Sequence, residues 1–247
     1  MPAFGLIGKK LGHSFSRTWF ERQFTLLGLN ENCSYENVEI KTIDELLNAT
    51  AHLSGFNVTI PYKGEILPYL DELSTEAIEI NAVNCVVRKN GKLIGHNTDS
   101  FGFENSLKPL IKSDTPNRAL VLGASGGAAQ SVKFVLKNMG IKTIGVTRLP
   151  HDNMLTYDQL SPEIIAECRL IVNCTPLGMW PDCQGVPNIP FSSITHNHIL
   201  YDLVYNPAQT TFLKQGRRYG ATVKNGLEML HLQAAKSWEL FFEHQPF

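Results

Sequence analysis

Residues 55 to 65 read GFNVTIPYKGE, and Lys63 is an amine set just past a stretch with the alternation of a half-buried strand. Phe56, Val58 and Ile60 alternate with Asn57 and Thr59, and Pro61 ends the run by removing a ladder donor. Other polar clusters stand at strand ends too: HSFS (His13 to Ser16), A-V-N ending at Asn84, and N-T-D (Asn97 to Asp99). Together they hold hydroxyls, amides, a cation and an anion, the inventory that grips a small polyhydroxylated acid. Each residue also has a local reading. Ser14 and Ser16 can start a helix as N-caps, Asp99 can cap a helix opening at Ser100, Asn84 can sit at a strand edge, and His13 can pack locally.

A second constellation begins at Ala119. An apolar strand, Ala119 to Leu122, runs into Gly123-Ala124-Ser125-Gly126-Gly127-Ala128, and Val132, Val135, Leu136 and Met139 then recur at helical spacing. Small residues at such a turn let the backbone approach a pyrophosphate, and the helix N-terminus offers free N–H groups. Against G-x-G-x-x-G/A the chain reads Gly, Ser, Ala, so plain tight packing stays open as an alternative. The next strand, Lys142 to Leu149, carries Thr147-Arg148 where an NAD enzyme usually has an acid for the ribose hydroxyl. A guanidinium there suits a 2′-phosphate; an exposed arginine at a strand end is the plainer reading. Strands Arg169 to Cys174 and His198 to Val204 stop in TPLGM, with Thr175, and in YNP, at the same carboxyl edge.

The elements that must position these groups alternate strand with helix, without repeats, which predicts an α/β fold with parallel sheets. Strands are expected at Phe4 to Ile7, Ser34 to Val38, Gly55 to Ile60, Ala82 to Arg88 and Lys92 to His96. Helices are expected at Thr18 to Leu27, Ile43 to Thr50, and Lys63 to Leu67 running on toward Asp71. The polar segment Lys108 to Arg118 reads as a link, beyond which the strand-then-helix order restarts.

The 247 residues carry a net charge of −1, with 43% apolar and 18% charged residues, and a pI near 6.7. Nothing in that balance favours a nucleic-acid track or an anionic membrane surface, and the expected partner is a small molecule. Five cysteines without C-x-x-C read as reduced thiols of a cytoplasmic protein. In MPAFGLIGKK the lysines follow the apolar stretch, the reverse of a signal peptide, and no run reaches membrane-spanning length. His196-Asn197-His198 has ligand-like spacing but no third ligand nearby, and reads as a solvated loop with no metal.

In order along the chain, GHSFS, NVTIPYK, AVN, NTD, G-A-S-G-G-A, NCTPLGM, DLVYNP and NGLEMLHLQAA resemble the shikimate dehydrogenase family, over nearly the whole chain. The resemblance implies two α/β domains flanking a cleft: residues 1 to 100 with the C-terminal helix 227 to 247 for substrate, and a Rossmann-like NADP-binding domain at 101 to 226. It implies reversible, NADPH-dependent reduction of 3-dehydroshikimate, with no nucleic-acid or membrane partner, by a monomer or homodimer. Lys63 would be the catalytic lysine with Asp99 beside it. Ser14 and Ser16, helped by Tyr205, would hold the substrate carboxylate, and Thr59, Asn84 and Gln233 the ring oxygens. Gly123, Ala124, Ser125, Gly126, Gly127, Ala128, Thr147, Arg148, Thr175 and Gly226 would line the cofactor site. An NAD-using quinate/shikimate dehydrogenase and a non-catalytic sensor of shikimate-like acids are the alternatives.

Departures from the family pattern are Arg17 and Trp19-Phe20 after the serines, Lys9 to Gly12, and Thr147-Arg148-Leu149 followed by His151. Only Leu149 to Gln159 separate Arg148 from Leu160, where the family fits a helix and another strand. One helix–strand unit is expected to be missing there, leaving a thin phosphate clamp. In the last helix Leu230, Ala234, Trp238 and Phe241 form a core stripe, and only Gln233 has a functional claim.

Overall fold

The computed structural model describes residues 1–12, 14–111, 116–151 and 153–243. His13 and residues 112–115 of the expected link lie outside the described residues. The chain forms two compact units, Met1–Phe101 with Leu232–Phe247, and Gly102–His231. Its helices are α1 (Phe15–Leu27), α2 (Leu46–Ala49), α3 (Thr75–Ile80), α4 (Thr98–Leu107), α5 (Gly127–Asn138), α6 (Pro162–Glu167), α7 (Thr211–Arg218) and α8 (Leu227–Phe242). The division between units falls inside α4 and inside α8.

In the first unit β1 (Ala3–Gly8), β2 (Ser34–Glu39), β3 (Gly55–Val58), β4 (Glu72–Leu73), β5 (Cys85–Lys89) and β6 (Lys92–His96) form one sheet in the order β2-β1-β3-β5-β6-β4. β1 is parallel to β2 and β3, whereas β5 is antiparallel to β3 and β6. One core holds Ile7, Leu46, Phe56, Val58, Tyr62 and Val83. Another holds Phe4, Phe20, Phe24, Tyr35, Cys85 and Phe241. The two cores follow from the pleat: Phe56 and Val58 share one face of β3 with their partners Val86 and Ile7, while Leu6 and Cys85, paired with Asn57, point to the other face. Phe20, a departure from the family pattern, stacks on Tyr35 with ring centroids 4.3 Å apart, so its contribution is packing.

In the second unit β7 (Arg118–Leu122), β8 (Lys142–Thr147), β9 (Met154–Thr156), β10 (Leu170–Asn173), β11 (Ile199–Asp202) and β12 (Thr222–Lys224) form a sheet in the order β12-β11-β10-β7-β8-β9, every pair parallel. This is the doubly wound order, with its reversal between β7 and β10. Buried rows from β7 and β10 serve both faces: Ala119, Val121, Leu170 and Val172 enter one core, Leu120, Leu122 and Ile171 the other. Strands covered on both sides read as continuous apolar runs, as these do.

Four expectations are corrected. Lys63 to Leu67 is not helical: hydrogen-bonded turns lead into a 3₁₀ turn at Leu67–Tyr69. Gly64 weakens a helix there, and Pro68 biases the residue before it away from helical backbone. β3 ends at Val58 and is buried on both faces, Asn57 included. The strand expected from Ala82 starts only at Cys85, which leaves Asn84 just ahead of it. The unit expected to be missing after Arg148 is half present: β9 pairs parallel with β8, Gly145 opposite Met154. A three-residue strand needs only a short return, and no helix stands between β8 and β9 among the described residues.

Candidate active site

Lys63 and Asp99 meet in the first unit. Lys63 Nζ lies 2.6 Å from Asp99 Oδ2, with the two side chains 15% and 8% exposed. Asp99 Oδ1 accepts from Asn84 Nδ2 at 2.9 Å. The turn after β3 carries Lys63, whose carbonyl accepts from the Val83 N–H at 2.8 Å, fixing it beside the approach to β5. Asp99 sits in the first turn of α4, where a carboxylate gains from the helix dipole. Its expected local role is overturned: Asn97 Oδ1, not Asp99, accepts from the Ser100 N–H, at 3.2 Å. Breaking a buried pair of this kind leaves a charge without compensation, so the arrangement fixes one amine and one carboxylate as a unit.

Other expected substrate residues lie in the same unit, Tyr205 excepted. Thr98 Oγ1 is 3.4 Å from Gln233 Oε1, and Gln233 is 8% exposed on α8. Thr59 follows β3, its N–H donating to the Ile7 carbonyl at 2.9 Å. Ser14 is the N-cap of α1, its side chain accepting from the Arg17 N–H at 3.3 Å, so its local reading holds. Ser16 follows within the first turn, and α1 has no acidic residue in that turn. Tyr205 belongs to the second unit, where burial pushes its phenol up.

At the carboxyl edge of the second sheet the residues fit a dinucleotide. Gly123 has φ +72°, and an added Cβ there would stand 2.7 Å from Thr175 Cγ2 and 3.2 Å from Thr175 N. Only glycine holds that left-handed conformation at this approach of two loops. The Gly123 and Ala124 N–H groups both donate to the Val146 carbonyl. Ser125, Gly126 and Gly127 are exposed, and α5 starts at Gly127 with no side-chain cap and no acid in its first turn, so its first N–H groups face outward for an anion. Thr175 is anchored through Asn173 Oδ1, which accepts from its N–H and its hydroxyl at 3.0 and 2.7 Å. Asn173 in turn donates to Asp202 at 2.9 Å. Thr147 is buried and donates to the Leu149 carbonyl, while Arg148 is exposed at the end of β8. Gly226 has a packing explanation, because a Cβ there would meet Leu203 O at 2.1 Å.

A family model described as the shikimate dehydrogenase substrate binding domain matches residues 6–86. A shikimate dehydrogenase (NADP(+)) of Halothermothrix orenii is 36% identical over 267 residues, covering 98% of this chain and 91% of the relative. The chain belongs to the shikimate dehydrogenase family. Among solved structures, a shikimate 5-dehydrogenase from Thermus thermophilus in complex with NADP(H) and shikimate matches with a TM-score of 0.86 at 33% identity, covering 100% of this chain and 95% of that one. A quinate dehydrogenase from Corynebacterium glutamicum in complex with NAD matches with 0.85 at 27% identity, covering 100% and 95%.

Within this family frame, sequence reading missed several polar residues behind the pair. Ser237 and Tyr35 are 0% and 3% exposed and both bond Asn57, and Ser237 also meets Thr98 of the N-T-D cluster, which is 1% exposed and bonded to Asn84. A serine at a core-facing position of the last helix, four residues after Gln233, was the available signal. Asp202 was missed as well. Burial pushes its carboxyl up to about 6, against hydrogen bonds from Thr210, the Val204 N–H and Asn173. His198 is not a solvated loop residue: it is 3% exposed, with Nε2 3.1 Å from the Ile165 carbonyl. No group of residues suited to a metal occurs among the described residues, and no described helix is long and apolar enough to cross a membrane.

Proposed function

We propose that the chain interconverts shikimate and 3-dehydroshikimate with NADP, in the pathway to chorismate and the aromatic amino acids, with Lys63 as proton donor and acceptor. The buried Lys63–Asp99 pair, its carboxylate oriented by Asn84, carries this reading. In the oxidative direction the substrate hydroxyl must lose a proton as its carbon loses hydride. A neutral Lys63 amine takes that proton, and in reduction the ammonium returns it to the forming alkoxide. Asp99 holds the amine in place and accepts from a second ring hydroxyl. Thr59, Asn84 and Gln233 bond the remaining ring oxygens. Ser14 and Ser16, at the N-terminus of α1, hold the carboxylate with Tyr205, a charge that the helix end also favours. A non-catalytic sensor would have no use for the buried amine.

NADP supplies the hydride acceptor and donor. The turn Gly123, Ala124, Ser125, Gly126, Gly127 and Ala128 would hold its diphosphate, Thr147 and Arg148 its 2′-phosphate, and Thr175 and Gly226 the adjoining loops. Arg148 has no acidic neighbour to read a bare ribose hydroxyl, which favours NADP over the NAD-using relatives. Residues 1–100 with 227–247 are assigned to substrate and 101–226 to nucleotide. The protein is assigned to the cytoplasm, as a monomer or homodimer. Purified protein mixed with shikimate and either NADP⁺ or NAD⁺, followed by nicotinamide absorbance, tests the reading. Faster reduction of NADP⁺ supports it, and no reduction of either cofactor overturns it.

A further inference from the structure

Behind Asp99 the first unit carries a run of buried polar side chains, and two backbone carbonyls and one backbone N–H decide where its protons point. The Asn84 carbonyl can only accept, so the Asn57 carboxamide turns Nδ2 toward it, at 3.1 Å. Its second N–H goes to Ser237 Oγ at 2.8 Å, and its Oδ1 accepts from the Tyr35 hydroxyl at 2.9 Å. The Gln233 carbonyl takes the single Ser237 proton at 3.0 Å. In the 3.2 Å contact between Thr98 and Ser237 the proton is then that of Thr98, which also has Asn84 Oδ1 at 3.3 Å and Gln233 Oε1 at 3.4 Å as longer alternatives. The Thr98 N–H donates to Asn84 Oδ1 at 2.7 Å, which turns Asn84 Nδ2 toward Thr98 Oγ1 at 3.0 Å and Asp99 Oδ1 at 2.9 Å.

The result is a hydrogen-bonded run from Tyr35 to Asp99 whose donors converge on Ser237 Oγ: Tyr35 and Asn57 donate toward it from one side, Asn84 and Thr98 from the other, and Asn84 also donates to Asp99. We propose that Tyr35, Asn57 and Ser237 are positioning residues that hold the Asn84 carbonyl and the Thr98 hydroxyl in place, and through these two residues the orientation of the Asp99 carboxylate that holds Lys63. The three are 3%, 5% and 0% exposed, so they act through their neighbours and not on a ligand. The Asn84 amide is oriented by the Thr98 N–H and by Asp99; the polar run adds a hold on the Asn84 carbonyl through Asn57 and on the Thr98 hydroxyl through Ser237, specifying one arrangement where apolar packing would specify none. This rests on the reading of Lys63 and Asp99 as the proton-transfer pair.

Ser237→Ala deletes the acceptor that Asn57 and Thr98 share. The expected result is a fall in kcat of roughly 10- to 100-fold from misplacement of the pair, with KM for shikimate and for NADP⁺ within about threefold of the parent. Ser237→Thr keeps the hydroxyl and should retain most of the turnover. Tyr35→Phe, which removes the proton given to Asn57, should lower kcat in the same sense, and it carries the test where a Ser237 variant fails to fold. A second readout needs no turnover: acetylation of Lys63 by acetic anhydride, followed by mass spectrometry, should change in rate by roughly threefold or more in the variants. Folded variants with unchanged kcat and unchanged Lys63 acetylation overturn the proposal. So does a loss of stability and kcat together with unchanged acetylation, the mark of a merely structural role. A parent that does not oxidise shikimate overturns the functional reading instead, and the acetylation comparison still decides the positioning.

Discussion

Asp99→Asn is nearly isosteric, yet it removes the charge on which two donors converge. Lys63 Nζ at 2.6 Å and Asn84 Nδ2 at 2.9 Å both need an acceptor, and an amide offers one oxygen for the two of them. Whichever way the new side chain turns, its NH₂ opposes a donor and Lys63 loses its counter-charge. Removing one partner of a buried ion pair costs about 3–5 kcal/mol, and the slight exposure of Lys63, 15%, points to the lower end, about 3 kcal/mol. For a chain of this size roughly 2–4 °C accompany each kcal/mol, so the melting temperature should fall by about 6–12 °C. Turnover should fall by roughly 10²- to 10⁴-fold, the usual worth of a positioned proton-transfer group. Lys63→Met with Asp99→Asn then serves as the control. It leaves no unpaired charge, so much of the lost stability should return while activity does not. Calorimetric melting and steady-state turnover of shikimate with NADP⁺ measure both quantities. An Asp99→Asn protein as stable and as active as the parent, or a double variant whose destabilisation is the simple sum of the singles, would refute the reasoning.

Ser16→Ala should raise KM for shikimate roughly tenfold, since a hydrogen bond to a charged group is worth about 1.5–3 kcal/mol, and leave the cofactor KM unchanged; initial-rate kinetics with each substrate varied checks this. Ser16 is the cleaner choice because Ser14 also caps α1. The kcat/KM for NADP⁺ should exceed that for NAD⁺ by roughly 10- to 100-fold, a modest margin set by the exposure of Arg148, and Arg148→Ala should close most of that gap by weakening NADP⁺ alone. Burial raises Asp202 to about 6 in the folded protein from its ordinary 3.8, so the folded state binds this proton more tightly than the unfolded one. Its contribution to stability is therefore lost as pH rises from about 4 to about 6, by on the order of 3 kcal/mol. Urea denaturation across that range should show Asp202→Asn with a flatter pH dependence than the parent; parallel curves would count against it.

The residues that face a ligand in the functional reading were legible because they close short motifs at strand ends, where local pattern alone places them. Lys63, Asn84 and Asp99 could be named together although 36 residues separate the lysine from the carboxylate. The network behind them could not, since Asn57 and Ser237 lie 180 positions apart and their contact depends on how α8 covers β3. Asn57 was read as part of an open polar face for the same reason: alternation reports which residues share a face, not what covers it. The doubly wound sheet followed from repeated strand–helix order, but β9 carries too few residues to show a period. Helical spacing after Lys63 misled because Gly64 and Pro68 outweigh it locally.

Proton transfer at Lys63 Nζ is tested most directly by turnover of Lys63→Ala with shikimate and NADP⁺ both saturating. The expected result is a kcat lower by roughly 10²- to 10⁴-fold with KM for shikimate within a few-fold of the parent, because the lost interaction belongs to the transition state. Turnover within a few-fold of the parent would contradict it and leave Lys63 as the structural partner of Asp99.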